Sequence, residues 1–235
     1  MHSLFILLPA ALGTSALTLP TRADALTATS TGFRLLAKII KPFPDLSPPI
    51  DKQFLSTAHT GAGLNAGVVS ENASNARVWY QNGTAPAPAQ ELDSILTDGG
   101  TPPAPYGIGL QGPDEFDGSV YPDEHRVSVN VGPGTPTMGV ELNDEKLPIL
   151  RVRDVDGLGG KWMVCRRAIW YYYGPDREFS VLRYVYAGEE APMDECVAVE
   201  LVPICAELAD LPEGSYSSHE FAVEVPCVVD AAALV

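Results

Sequence analysis

Short runs of alternating apolar and polar residues, broken by glycine, proline or acidic turns, constrain this chain more than any other feature. The run "RVSVNVG" puts Val127, Val129 and Val131 on one face of a strand, because successive side chains in extended backbone point to opposite sides. "TMGVELND" continues the pattern after a Gly-Pro-Gly turn. "KWMVCRRAIWYYYG", "EFSVLRYVYAG" and "ECVAVELVPI" follow, each rich in β-branched and aromatic residues. Strands of roughly this length and spacing predict an all-β protein. The expected form is a single-domain antiparallel β-sandwich or barrel with long Pro/Gly-rich loops and at most short helices. Residues 84–105, with five prolines and the pair Gly99–Gly100, read as the largest loop. The short helical candidates are "QELDSIL" inside that loop and "CAELADL" at 205–211.

The chain begins "MHSLFILLPAALGTSA". A polar start, an apolar run and then small residues read as a signal peptide over 1–16, since the run is far short of the roughly 20 apolar residues of a membrane span. Residues 17–31 read as a flexible Thr/Ala-rich leader, with order beginning at "FRLLAKII". The β domain is expected over 32–204 and an acidic, disulfide-clipped extension over 205–235. Secretion into an oxidising compartment makes the even set Cys165, Cys196, Cys205 and Cys227, which lacks C-x-x-C spacing, a disulfide framework rather than a metal site. A bridge between Cys165 and Cys196 would tie neighbouring strands and leave Cys205 to clip the tail through Cys227. Spacing alone does not choose among the possible pairings. Asn72-Ala73-Ser74 and Asn82-Gly83-Thr84 are sequons, so Asn72 and Asn82 are candidate glycan sites.

The formal net charge is −15, with 15 Lys and Arg against 30 Asp and Glu. No Lys or Arg follows Arg183, so the acidic excess is concentrated in the tail. Such a surface repels nucleic acid and anionic membranes, and neither is an expected partner.

The stretch most like a functional loop is "HTGAGLN", with His59, Thr60, Gly61, Gly63 and Asn65. It lacks the third glycine of a dinucleotide loop and the lysine of a phosphate loop. Its glycines suit a turn at a strand end, with Thr60 and Asn65 bonding backbone and His59 turned inward. His59 is also the candidate general base, should a carboxylate orient it. G-x-S-x-G and H-E-x-x-H are absent, and disulfide pairing would leave no free thiol nucleophile. Asp154 and Asp156 before Gly157 are a fragment of a calcium loop and read as a turn, as does "DEFDG" at 114–118. In a strand, Trp170 and Tyr172 would share one face and Tyr171 and Tyr173 the other. One aromatic face would fill the core and the other could be a platform for sugar rings or an apolar ligand. No metal or cofactor is expected.

Taken in order, "FRL", "HTGAGLN", a strand ending at the Asn82 sequon, "VNVGPGTPTMGVELND", "GGKWMVC" and "CVAVELVPI" resemble a group of small secreted proteins of ascomycete fungi. These carry one domain of unknown function, and some are named IgE-binding protein. The resemblance runs from Phe33 to Ile204, and its most specific parts are "HTGAGLN" and the Trp162–Cys165 segment. It implies a bridge between Cys165 and Cys196 and no known reaction. Cys205, Cys227 and the acidic tail depart from the pattern, so the second bridge is our own inference. The leading expectation is a non-enzymatic extracellular interaction or effector-like module, with cell-wall polysaccharide or a host extracellular protein as partner. The alternatives are a carbohydrate-binding module using the Trp170–Tyr173 aromatics and an extracellular hydrolase using His59.

Overall fold

A computed structural model describes residues 27–40, 42, 44–71, 76–83, 93–112, 123–153, 159–169, 173–189 and 195–234. The strands in chain order begin with β1 (Thr27–Ser30), β2 (Gly32–Ile39), β3 (Phe54–Gly61), β4 (Leu64–Ser70) and β5 (Trp79–Asn82). Next come β6 (Ser94–Gly99), β7 (Ala104–Leu110), β8 (His125–Val131), β9 (Met138–Leu142) and β10 (Pro148–Val152). The last are β11 (Lys161–Ala168), β12 (Glu178–Val185), β13 (Cys196–Ala206), β14 (Ala222–Val223) and β15 (Val225–Val228). One 3-10 turn, Ala231–Ala233, is capped by Asp230.

The hydrogen-bond ladder closes on itself. From β13 it passes through β11, β12, β4, β3 and β2, and β2 returns to β13 along its whole length, from Gly32 opposite Ala206 to Ile39 opposite Val199. A second circuit leaves β2 through β5, β6, β7 and β8 and rejoins at β4. Closure of this kind removes exposed strand edges. The ladders in both circuits are antiparallel; β13 with β15 is a parallel pair.

Alternation explains which residues fill the interior. Phe33, Leu35, Ala37 and Ile39 of β2 join Trp162 and Val164 of β11, Leu182 and Tyr184 of β12, and Val197, Val199 and Leu201 of β13 in the main core. The intervening residues Met163, Cys165, Val181 and Ala198 form a second buried cluster on the opposite face. β2 is buried on both faces, since Leu36 packs in a third cluster with Val202 and Ile204, and only Arg34 and Lys38 interrupt the apolar run of "FRLLAKII". The separate β9–β10 hairpin lays Met138, Val140 and Leu150 on the main core, and the Trp162 indole N–H donates to the Leu150 carbonyl at 3.0 Å.

Three expectations change. "SIL" of "QELDSIL" lies in β6, and the supposed long loop contains a hairpin, with β6 and β7 joined through a turn at Gly100 (φ +83°). "CAELADL" is not helical: Cys205 and Ala206 end β13 and irregular backbone follows. Segments this short carry too little periodicity to oppose strand pairing. The leader enters the sheet before Phe33, because Thr27–Ser30 pairs with Val225–Val228. The tail is consequently woven into the domain rather than appended to it. The bridges are Cys165–Cys196, across directly paired residues of β11 and β13, and Cys205–Cys227, between β13 and β15. Each stabilises by roughly 3 kcal/mol in the chain-entropy picture.

Candidate functional site

"HTGAGLN" forms the tip of the β3–β4 hairpin. Gly63 takes the left-handed conformation (φ +70°), and the register shifts between His59 and Gly61. Asn65 is the working residue of the motif, and its work is structural. Its backbone N–H donates to Asn130 Oδ1 at 2.9 Å, and its buried amide donates to the Val129 carbonyl at 2.8 Å. The Val131 N–H returns a bond to the Gly63 carbonyl at 3.0 Å. The hairpin is therefore fastened along β8, where the closing circuit needs it. His59 is exposed rather than turned inward, since it lies near the hairpin end of β3, beyond Leu55 of the main core and Ala58 of the second cluster.

Two described histidines, His125 and His219, meet carboxylates at close range. His125 is buried, and its Nε2 lies 2.9 Å from Glu189 Oε1. Beside it in sequence, the Glu124 carboxylate is buried under two guanidiniums. Arg167 Nη2 donates to Oε2 at 2.8 Å and Arg183 Nε to Oε1 at 2.6 Å. Arg167 Nη2 also lies 3.3 Å from Cys196 Sγ, so this ion cluster seals the inner disulfide. Glu124, Cys165 and Cys196 bring potential metal ligand atoms within 4.8 Å of one another, but both sulfurs are spent on the disulfide.

His219 belongs to a strap, residues 207–221, that crosses the β5–β7 region. The Tyr216 and Ser217 N–H groups donate to the Pro103 carbonyl, and Gly83 N–H donates to the Phe221 carbonyl at 3.0 Å. His219 Nε2 sits 2.8 Å from Asp98 Oδ2, and its ring packs edge-on against Tyr80 at 4.8 Å. Burial, reinforced by the Asp98 charge and a hydrogen bond to it, pushes the Tyr80 phenol well above the ordinary tyrosine range. Beyond the strap, β14 pairs with β5 and Cys227 bridges back to Cys205. Between these anchors Tyr216 is 76% exposed and Phe221 49% exposed, with Glu207, Asp210, Glu213 and Glu220 also facing solvent.

Of the other sequence candidates, Trp170, Tyr171 and Tyr172 lie outside the described residues, as do Asn72, Asp154, Asp156 and residues 114–118. Tyr173 is not in a strand. Its N–H donates to the Ile169 carbonyl, and its ring packs on Phe179 with the Arg177 guanidinium over both. Asn82 ends β5 and is paired on both sides, with Ser94 and with Ala222. Sequence reasoning missed Asp98, Glu124, His219 and the strap aromatics. The signal that could have found the strap was its pair of aromatics in a segment without a single cation.

The family model for a domain of unknown function, DUF7907, matches residues 30–205. The chain belongs to this family. It is also similar to antigenic protein SchS34 of Stachybotrys chartarum, 34% identical over 213 residues that cover 88% of this chain and 89% of that protein. No solved structure matches. The fungal relative and the two disulfides fit a fungal protein of unestablished activity built for an oxidising compartment.

Proposed function

We propose that the protein is a secreted, non-enzymatic interaction protein of the extracellular space, and that its recognition face is the strap. One observation carries this reading: Tyr216 and Phe221 are presented to solvent by a segment tied down at Pro103, Asp98 and Gly83. Aromatic side chains placed in this way give large contact area with little ordering cost on binding. The surrounding carboxylates favour a partner surface that is basic. The matched family domain ends at residue 205, so the strap supplies a surface outside that common part. The name of the Stachybotrys relative describes that protein as an antigen, which suits an exposed extracellular role for this one. We assign the "HTGAGLN" hairpin a structural role, fastening β3 and β4 along β8, rather than that of a site.

The test is capture of host extracellular proteins and cell-wall polysaccharides on the immobilised, disulfide-intact protein. Capture should persist in His59→Ala and fall at least about tenfold in the Tyr216→Ser, Phe221→Ser double variant, the effect of losing buried aromatic anchors. Capture untouched by the double variant would overturn the strap assignment. Catalytic turnover abolished by His59→Ala would overturn the non-enzymatic reading.

A further inference from the structure

A cleft of about 300 Å³ lies away from the strap, between the start of β11 and the turn that follows β12. Its lining includes Gly159, Gly160, Lys161, Tyr186, Gly188 and Glu189. Gly160 lets two backbones approach closely, since a Cβ there would fall 2.3 Å from the Val185 carbonyl oxygen and 2.6 Å from the Tyr184 ring. Gly188 takes the left-handed conformation (φ +88°) and folds Glu189 back over its own turn.

Glu189 is oriented before any ligand arrives. Its Oε2 accepts from the Tyr186 N–H at 2.6 Å and its Oε1 from His125 at 2.9 Å. Because the carboxylate can only accept, the bond requires His125 to carry its proton on Nε2. The His125 Nδ1 is buried and has no partner, and the ring is clamped edge-on by Tyr186 at 4.8 Å. The Tyr186 hydroxyl is itself tied to the Gln111 carbonyl at 2.9 Å. Each Glu189 oxygen thus holds one donor and keeps capacity for another. No described residue pairs with the Lys161 ammonium on the opposite lip.

We infer that this cleft binds a small neutral polyhydroxyl ligand, of the size and chemistry of a single sugar ring. The fixed carboxylate accepts from two neighbouring hydroxyls, and Lys161 donates to a hydroxyl or ring oxygen. A cationic ligand meets Lys161 and an anionic one meets Glu189, whereas a neutral polyol is repelled by neither. The volume lies at the low end of small-molecule sites, which suits one ring rather than a chain. Tyr186 does not act as a stacking platform, because Tyr184 and His125 already hold it edge-on. His125 is a positioning residue that acts through Glu189.

The experiment titrates the full disulfide-intact protein with D-glucose, D-mannose and N-acetyl-D-glucosamine, with glycine as a zwitterionic control. The amide signals of Gly159, Gly160 and Gly188 are followed by nuclear magnetic resonance. At least one sugar should shift these signals saturably, and glycine should not. Glu189→Gln and Lys161→Met should each weaken the sugar roughly tenfold, as for loss of a charged hydrogen bond. Lys161→Met changes an exposed side chain, so its effect is read on a folded protein. The inference is overturned if no sugar shifts these signals at tens of millimolar, if both variants bind unchanged, or if glycine binds more tightly. The Tyr216→Ser, Phe221→Ser variant should bind sugar normally, which separates failure of this site from failure of the strap.

Discussion

The Glu124 joint and the His219 strap use the same materials, a carboxylate, a cation-capable partner and a nearby disulfide, in opposite ways. Around Glu124 they are buried: the carboxylate side chain is 1% exposed, and two arginines close over the Cys165–Cys196 bridge. At the strap they are half open, with His219 and Asp98 side chains 19% and 23% exposed, and they hold down a segment whose own aromatics point outward. Burial separates the two. The first is a joint buried between strands of the closed ladder, and the second is a latch on its surface.

Breaking the joint and opening the outer bridge should have the largest effects. Glu124→Gln leaves two guanidiniums without their carboxylate and should lower unfolding stability by about 3 kcal/mol, the low end for a broken buried ion pair because both arginines keep some solvent contact. Urea denaturation with matched slopes would measure it, and a loss under about 1 kcal/mol would make the cluster an ordinary surface pair. Removing the outer bridge with Cys205→Ala, Cys227→Ala should cost about 3 kcal/mol in the chain-entropy picture. Hydrogen exchange should then rise first in 207–228 while β11 and β12 stay protected; a uniform rise would erase the distinction between joint and latch.

Alkaline pH probes the contact between strap and core. The folded protein raises the Tyr80 phenol above its ordinary value, so it keeps that group protonated. The corresponding stability is fully present below about pH 10, the unfolded tyrosine value, and is lost as pH rises beyond it. Tyr80→Phe should flatten the decline in stability above about pH 10, and an unchanged slope would contradict the buried-phenol account. His219→Gln should have the smallest effect, below about 1 kcal/mol, because the pair is partly open to solvent. It should appear mainly as faster amide exchange at Tyr216 and Ser217.

The fold was legible because it rests on local alternation. β8 reads directly from "RVSVNV", and β13 reads from the β-branched run "ECVAVELVPI", whose apolar residues are buried on both faces. The misread helical candidates were seven-residue stretches where local pattern is weak and pairing decides, as in β6. The functional geometry was mostly illegible. Glu124 meets arginines 43 and 59 positions away, and Asp98 meets a histidine 121 positions away. Asn65 looked like a turn residue because nothing local announces that β8 lies alongside. His59, the most suggestive residue in the chain, proved to mark a hairpin tip, whereas His125 and His219 carried no motif at all.

The strap is proposed to be the face that partners meet. A photoreactive phenylalanine analogue at position 216 places a reporter on that face, and the same analogue at position 142, on exposed Leu142 of β9, serves as comparison. Irradiation with the captured partner should give a covalent adduct from position 216 and none from position 142. Equal adducts at both positions, or adducts from position 142 alone, would contradict the account.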